Sequence, residues 1–240
     1  MAELTRIPSL RDALILCGNG EALVSAADSC GGAGNLPCDA LFAEPETVGA
    51  FAARTALLEV LCTGARPVFG SICISNDPLL AQRLLEGVRS VLKGSLPLIV
   101  STEKNLKTGM TAIGVALTGR CASSSLRIGG ARRGDFVYCA GLPLVGEEVL
   151  KRSQCIPSPE WVEQTLARGG VRAALPVGSR GVAAEAEVLA RESGLTANFV
   201  QTRIDLTRSA GPSTCVLFAA EPGALESGKG VPVERIARLD

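Results

Sequence analysis

Two stretches decide the layout of this chain. Residues 45–65, "PETVGAFAARTALLEVLCTGA", open on a proline, carry Glu46 in the first turn and reach Gly64 just past the last apolar turn. A proline at the first position, an early acid and a closing glycine are the start and stop signals of one long helix. Residues 78–94, "PLLAQRLLEGVRSVLKG", repeat the pattern, with Asp77 as the expected cap and Gly94 as the expected stop. Short apolar runs stand before, between and after them. Residues 14–17 and 22–27 flank "GNGE", a hairpin signal; "RPVFGSICIS" follows the first helix; "LPLIVS" and "TAIGVALTG" enclose the polar loop "STEKNLKTGM". The order β, β, α, β, α, β, β predicts an α+β arrangement, a mixed sheet with helices on one face.

Residues 122–134, "ASSSLRIGGARRG", read as a connector. A fresh set of elements follows: the strand "DFVYCAG", helical segments broken by glycine and proline to about Arg168, the strand "VRAALPV", a helix over residues 179–193 and the strand "STCVLFAA". The expected division is two domains, 1–122 and 133–240. The length suits one large domain or two small ones, and 47% apolar residues suffice for a sizeable core.

Composition removes several function classes. Lys plus Arg and Asp plus Glu both number 24, so no net charge draws the chain to nucleic acid or to an anionic membrane. There is no histidine. Ser-His and Cys-His catalysis and histidine-ligated metals are therefore excluded. The nine cysteines show no Cys-x-x-Cys spacing, and several sit in apolar runs, which reads as buried thiols of a reduced protein. No apolar run approaches the ~20 residues of a membrane span, and no signal core opens the chain, so a soluble cytoplasmic protein is expected. Residues 223–230, "GALESGKG", nearly match a phosphate-binding loop but end in Gly230 instead of the hydroxyl residue that such a loop needs for magnesium.

Two loops carry the chemistry. In residues 23–34, "LVSAADSCGGAG", an apolar run ends in Asp28 and gives way to three glycines. In residues 101–105, "STEKN", an acid, two hydroxyls, an amide and a lysine crowd the end of another strand, with Lys107 just beyond. Taken singly, each is also what a solvated strand end or a polar hairpin loop looks like. Together, on strands of one expected sheet, they could converge. Magnesium binds through one or two carboxylates plus phosphates, and glycines let backbone N–H groups approach phosphate oxygens.

With these residues the chain resembles the AIR synthase-like (PurM-like) superfamily of ATP-dependent enzymes, which includes thiamine-monophosphate kinase. The matching pieces run in order: "AADSCGGAG", "FAARTALLEVLCTGARPV", "STEKN", "RGDFVYCAG" and "VRAALPVGSRGVAAEAEVLARESGL". The departures are specific. Where those kinases carry Gly-Asp-Asp, this chain has "GNG" with Asn19; Arg54-Thr55 replaces a small polar residue and an acid; "PVGSRG" replaces an acidic loop. The variant set is similar to the α-ribazole kinase branch, which phosphorylates the ribose 5′-hydroxyl of α-ribazole in cobamide salvage.

The resemblance implies ATP and Mg²⁺ as cofactors and a nucleoside as substrate. It implies Asp28 and Glu103 as catalytic metal ligands, with Asn19 on the metal side in place of a lost acid. Gly31, Gly32 and Gly34 would leave room for the phosphates. Arg54, Lys104 and Lys107 would neutralise them, beside Ser101, Thr102 and Asn105. Gly178, Ser179 and Arg180 would bind substrate at a helix start. It also implies a homodimer whose N-terminal sheets join into a barrel near the ATP. The rival readings are a thiamine-monophosphate kinase-like or amide-activating enzyme on the same scaffold, and a non-catalytic ATP-binding module.

Overall fold

The computed structural model describes residues 4–93, 96–225 and 230–240. The helix stop expected at Gly94 and residues 226–229 of the 223–230 glycine segment lie outside the described residues. In chain order the strands and helices are β1 (Thr5–Ile7), β2 (Ala13–Gly18), β3 (Glu21–Gly31), β4 (Ala33–Gly34), β5 (Leu41–Phe42), α1 (Pro45–Cys62), β6 (Arg66–Ile74), α2 (Pro78–Leu92), β7 (Leu98–Thr102), β8 (Ala112–Ala122), β9 (Phe136–Gly141), α3 (Glu147–Lys151), α4 (Pro159–Leu166), β10 (Val171–Pro176), α5 (Val182–Arg191), β11 (Ala197–Phe199), β12 (Cys215–Ala220) and β13 (Val233–Leu239).

The chain forms two compact units. The first comprises residues 1–7, 12–60 and 65–123; the second comprises 8–11, 61–64 and 124–240. In the first unit six strands run in the order β1-β2-β3-β8-β6-β7. β6 and β7 pair in parallel and the other neighbours pair antiparallel, so the sheet is mixed. Period-two alternation sorts its side chains. Ile15, Val24, Ile72, Val115 and Leu117 are buried on one face, while Leu14, Phe69 and Ile99 remain exposed on the other. Helix α1 covers the buried face: a Cβ on Gly119 of β8 would lie 2.5 Å from a methyl of Val60. Helix α2 opens as its sequence dictates, with the Asp77 carboxylate accepting from Leu79 N and Leu80 N at 3.0 and 3.2 Å. It buries Leu80, Ala81, Leu84, Gly87 and Val88, the i, i+3/i+4 stripe of an amphipathic helix.

The two helices cross at glycines. A Cβ on Gly49 would come within 1.9 Å of Leu84 O, and one on Gly87 within 1.9 Å of Glu46 O. Only glycine permits that approach of backbone to backbone.

The second unit is built on a five-stranded sheet of order β10-β12-β9-β13-β11, antiparallel throughout. Its core joins Val137, Cys139, Leu175, Leu217 and Ile236 of the sheet to Val182, Ala186 and Leu189 of α5. Arg11 belongs to this unit. Its fully buried side chain meets Glu192 at 2.7 Å, and its Nη1 also donates to Ala174 O at 2.6 Å.

The cysteine reading needs correction. All nine are free, but only Cys62, Cys139 and Cys215 are buried; Cys38 and Cys73 are exposed, and the rest are half-buried. Among the described residues no helix is long and apolar enough to cross a membrane.

Candidate functional site

Asp28 does not end its strand. β3 continues through Ser29 and Cys30 to Gly31, paired with β8 so that Asp28 stands opposite Val115. Alternation puts Asp28 on the same face as Val24 and Ala26, the face covered by α1. There, burial pushes its carboxyl up from the ordinary aspartate value; hydrogen bonds with the Ser29 backbone and the Thr55 side chain of α1 offset part of that rise. Ala27 and Ser29 line the opposite, open face. With Ser71, Cys73, Gly114 and Ala116 they bound a shallow hollow of about 410 Å³.

The first loop and its continuation meet residues 109–111, beyond the 101–105 stretch with which convergence was expected. Gly32 N donates to Thr111 O at 3.0 Å and Cys38 N to Gly109 O at 2.9 Å. An acid that the sequence reading passed over makes the junction. Asp39 Oδ1 accepts from Thr111 N at 2.8 Å; its Oδ2 accepts from Thr111 Oγ1 at 2.7 Å and from Leu36 N at 2.8 Å. Burial works to raise the Asp39 carboxyl, but these hydrogen bonds outweigh it and hold the group below its ordinary value. Asn76, fully buried, adds a second pin: it donates to Thr108 Oγ1 and Met110 O and accepts from Ala112 N, all at 2.9 Å.

The glycines therefore serve different ends. A Cβ on Gly34 would fall 2.1 Å from Thr111 Oγ1 and 2.6 Å from Asp39 Oδ2, so Gly34 makes space for that junction. The space beside Gly31 and Gly32 is occupied by the end of the Met110 side chain, at 3.8 and 3.4 Å from their Cβ positions. A thioether on three rotatable bonds is a cover that can swing aside.

The acids expected on one metal are not brought together. Asp28 is level with Val115, Ile72 and Val100 across the sheet. Three strand spacings thus separate β3 from the edge strand β7, roughly 14 Å, and Glu103 lies beyond the end of β7. The Glu103 Oε1 atom turns into its own loop, accepting from Asn105 N at 2.6 Å and Leu106 N at 3.2 Å. These backbone bonds lower its pKa. Asn19 is farther still. It sits in the β2–β3 hairpin turn with φ of 53°, seven residues of strand from Asp28, roughly 23 Å. Within the chain, then, neither Glu103 nor Asn19 can share an ion with Asp28. Asp12, missed in the sequence, reaches the same end of the sheet, but the register continued from Ala13 and Ala26 sets it beside Ala27, on the open face opposite to Asp28. Asp12 immediately precedes β2, whose first residue Ala13 pairs with Ala26 of β3. The signal was present, an acid directly before an apolar strand in "LRDALIL". Among the described residues no cluster of three or more potential metal ligands forms. An ion with hard oxygen preference held by Asp28 would draw its remaining ligands from phosphate and water.

The other expected residues fall into two groups. Arg54 is buried in α1, one residue before Thr55. Ser101 and Thr102 pair with Cys73 and Ile74 at the end of β7, and Lys104, Asn105 and Lys107 are exposed on the loop that Glu103 organises. In the second unit, Gly178, Ser179 and Arg180 follow β10. The helix expected from residue 179 begins instead at Val182, because Gly181, with φ of 91°, turns the chain at the N-cap position. Ser179 therefore caps nothing and is exposed. Gly178 O accepts from Ala210 N at 3.1 Å. Arg180 is held by Glu185, Nε to Oε1 at 3.1 Å and Nη2 to Oε2 at 3.2 Å, and Glu185 is 2% exposed. Glu185 was also missed. Its signal is a lone acid on the apolar stripe of Val182, Ala186 and Leu189.

No family model and no curated protein matches this sequence. Solved structures do. AaThiL complexed with AMPPCP and TMP superposes with a TM-score of 0.65 at 17% identity, over 96% of this chain and 84% of that one. The thiamine-monophosphate kinase of Stenotrophomonas maltophilia K279a gives 0.65 at 16% identity, over 98% and 88%. The hydrogenase maturation protein HypE gives 0.65 at 17%, over 90% and 79%. Likeness at this level of identity is likeness of fold, and the fold of this chain is the two-part α+β architecture of the PurM-like proteins.

Proposed function

We propose that the protein is an ATP- and Mg²⁺-dependent phosphotransferase whose acceptor is the ribose 5′-hydroxyl of α-ribazole. The observation that carries the phosphotransferase reading is the end-to-end match with AaThiL, a structure captured with an ATP analogue and a small-molecule ligand. Phosphoryl transfer asks mainly for positioning and charge neutralisation, which suits a chain without histidine. Asp28 would contact the magnesium ion of bound Mg-ATP, and the ion would neutralise charge on the phosphates. The 103–107 loop would present Lys104 and Lys107 to phosphate oxygens, with Glu103 ordering the backbone that carries them. Met110 would move off Gly31 and Gly32 to admit the nucleotide.

The acceptor follows from the "PVGSRG" loop. Arg180 is already neutralised by Glu185, so the loop offers Ser179 and backbone groups and little free cationic charge. A neutral ribonucleoside fits such a lining better than a substrate that brings its own phosphate. Thiamine monophosphate is the second reading, favoured by the identity of the structural neighbours. The deciding experiment incubates purified protein with Mg-ATP and each of α-ribazole, thiamine monophosphate and an amide substrate of the synthase type, and reads products by mass spectrometry. α-Ribazole 5′-phosphate is the expected product. Phosphorylation of thiamine monophosphate alone, turnover of the amide, or ATP binding without any turnover would each replace this reading with the corresponding rival.

A second copy of the chain belongs to the proposal. The open sheet face exposes Leu14, Phe69 and Ile99 around a hollow of small residues, and a partner's equivalent face would cover them.

A further inference from the structure

The second unit contains a cavity of about 230 Å³, lined by none of the residues assigned above to metal, ATP or acceptor, although its Arg208 lies against the segment that follows β10. Leu142, Leu144 and Ile204 give it apolar walls, and three arginines, Arg152, Arg203 and Arg208, line it as well. They come from separate segments: Arg152 from the end of α3, the other two from the stretch between β11 and β12.

Its frame is fixed by backbone bonds. Arg152 N donates to Glu148 O at 2.9 Å, and Arg208 O accepts from Val182 N at 3.3 Å. Arg203 N donates to Glu234 Oε1 at 2.5 Å. The fully buried Thr214 hydroxyl accepts from Leu144 N and donates to Leu142 O, each at 2.9 Å. A ligand would therefore find the cavity already formed.

The charges are unevenly spent. Arg208 is paired with Glu148. Arg203 meets Glu234 only at 3.8 Å, with its side chain 94% exposed. Arg152 has no ion pair among the described residues. The one carboxylate in the lining, Asp205, is engaged by Thr207, accepting from its N at 3.0 Å and its Oγ1 at 2.7 Å. Two guanidinium groups, with five N–H donors each, thus border one concavity without a close carboxylate partner. Like charges gathered in this way repel unless an anion joins them, and the guanidinium fork matches the geometry of phosphate oxygens. The volume lies below the roughly 300–1,000 Å³ of pockets that enclose whole ligands, so it suits a head group.

We propose that this cavity is a phosphate-binding site, taking inorganic phosphate or the terminal phosphomonoester of a small metabolite. It stands apart from the phosphotransferase reading, since it needs neither ATP nor magnesium.

The test is calorimetric titration of the full chain, in chloride buffer free of ATP and magnesium, with inorganic phosphate and separately with ribose 5-phosphate. Saturable binding of at least one, at one site per chain, is expected. It should weaken about tenfold or more in Arg152→Gln and in Arg203→Gln, the loss of one charged hydrogen-bonding partner. Both side chains are exposed, so the variants should melt as the parent does. Tighter binding of inorganic phosphate would identify the free ion as ligand; tighter binding of the sugar phosphate would identify the ester; equal binding would mean that only the head group is read. No saturation up to about 10 mM, affinity retained in both arginine variants, or affinity lost in Asp28→Asn would overturn the proposal.

Discussion

At the scale of single residues, Asp28 joins two demands that pull in opposite directions. A metal-binding role needs its charge, and its burial under α1 opposes that charge. An acid whose pKa is raised in the fold contributes most to stability below its ordinary pKa, and that contribution is lost as pH rises through the raised value. Asp28→Asn should therefore melt at or above the parent temperature at neutral pH, and the gap should close on acidification. Turnover in the same variant should fall about 100-fold or more, as for loss of a group that neutralises transferring phosphate. Thermal melts across pH beside an ATPase-coupled assay check both; normal activity in Asp28→Asn would remove it from the site. Asp39 has the opposite sign. Its lowered pKa supplies stability above the ordinary carboxylate range, lost as pH falls through the folded value. Asp39→Ala leaves the buried Thr111 without partners at N and Oγ1, at a cost of roughly 2–3 kcal/mol. In a chain of this size that is about 5–10 °C of melting temperature, measurable by calorimetry.

At the scale of elements, the helices were more legible than the ligands. Pro45 and Asp77 announce α1 and α2, because helix starts are written in local chemistry: a fixed φ, and a carboxylate for orphan N–H groups. Eight of the described strands could also be read locally, whereas β1, β4, β5, β11 and β13 could not. Nor could strand order. That β8 and β6 insert between β3 and β7, setting Asp28 and Glu103 apart, depends on pairing between residues distant in sequence. The same limit hid Asp12, whose place at the Asp28 end of the sheet comes from the β2–β3 register. It also hid Asp39, whose partner Thr111 is 72 positions away. The Gly49–Gly87 crossing gives a sharp test at this scale. Gly87→Ala would place a methyl 1.9 Å from Glu46 O, so the helices must separate. A destabilisation above about 3 kcal/mol is expected in chemical denaturation, far beyond what the better helix propensity of alanine returns.

At the scale of the whole molecule, the open sheet face argues for association. Ile99 is 70% exposed on it, a cost that a single chain gains nothing by bearing. Light scattering at micromolar concentration should give twice the chain mass. Ile99→Lys should shift the protein toward the single chain while leaving the far-ultraviolet circular dichroism unchanged. A parent protein that is fully active as a single chain would set the dimer aside.

The Arg11–Glu192 contact bears on how the protein is made. A ribosome delivers Arg11 early, yet its partners Ala174 and Glu192 emerge more than 160 positions later. Until then a segment that belongs to the second unit hangs from a half-built first one. Expressing residues 124–240 alone would omit that segment and leave Glu192 buried without its counter-charge, a defect of roughly 3–5 kcal/mol. Two fragments cut at the connector should thus fail singly and recover when synthesised together, behaving as a complementation pair instead of as two autonomous modules.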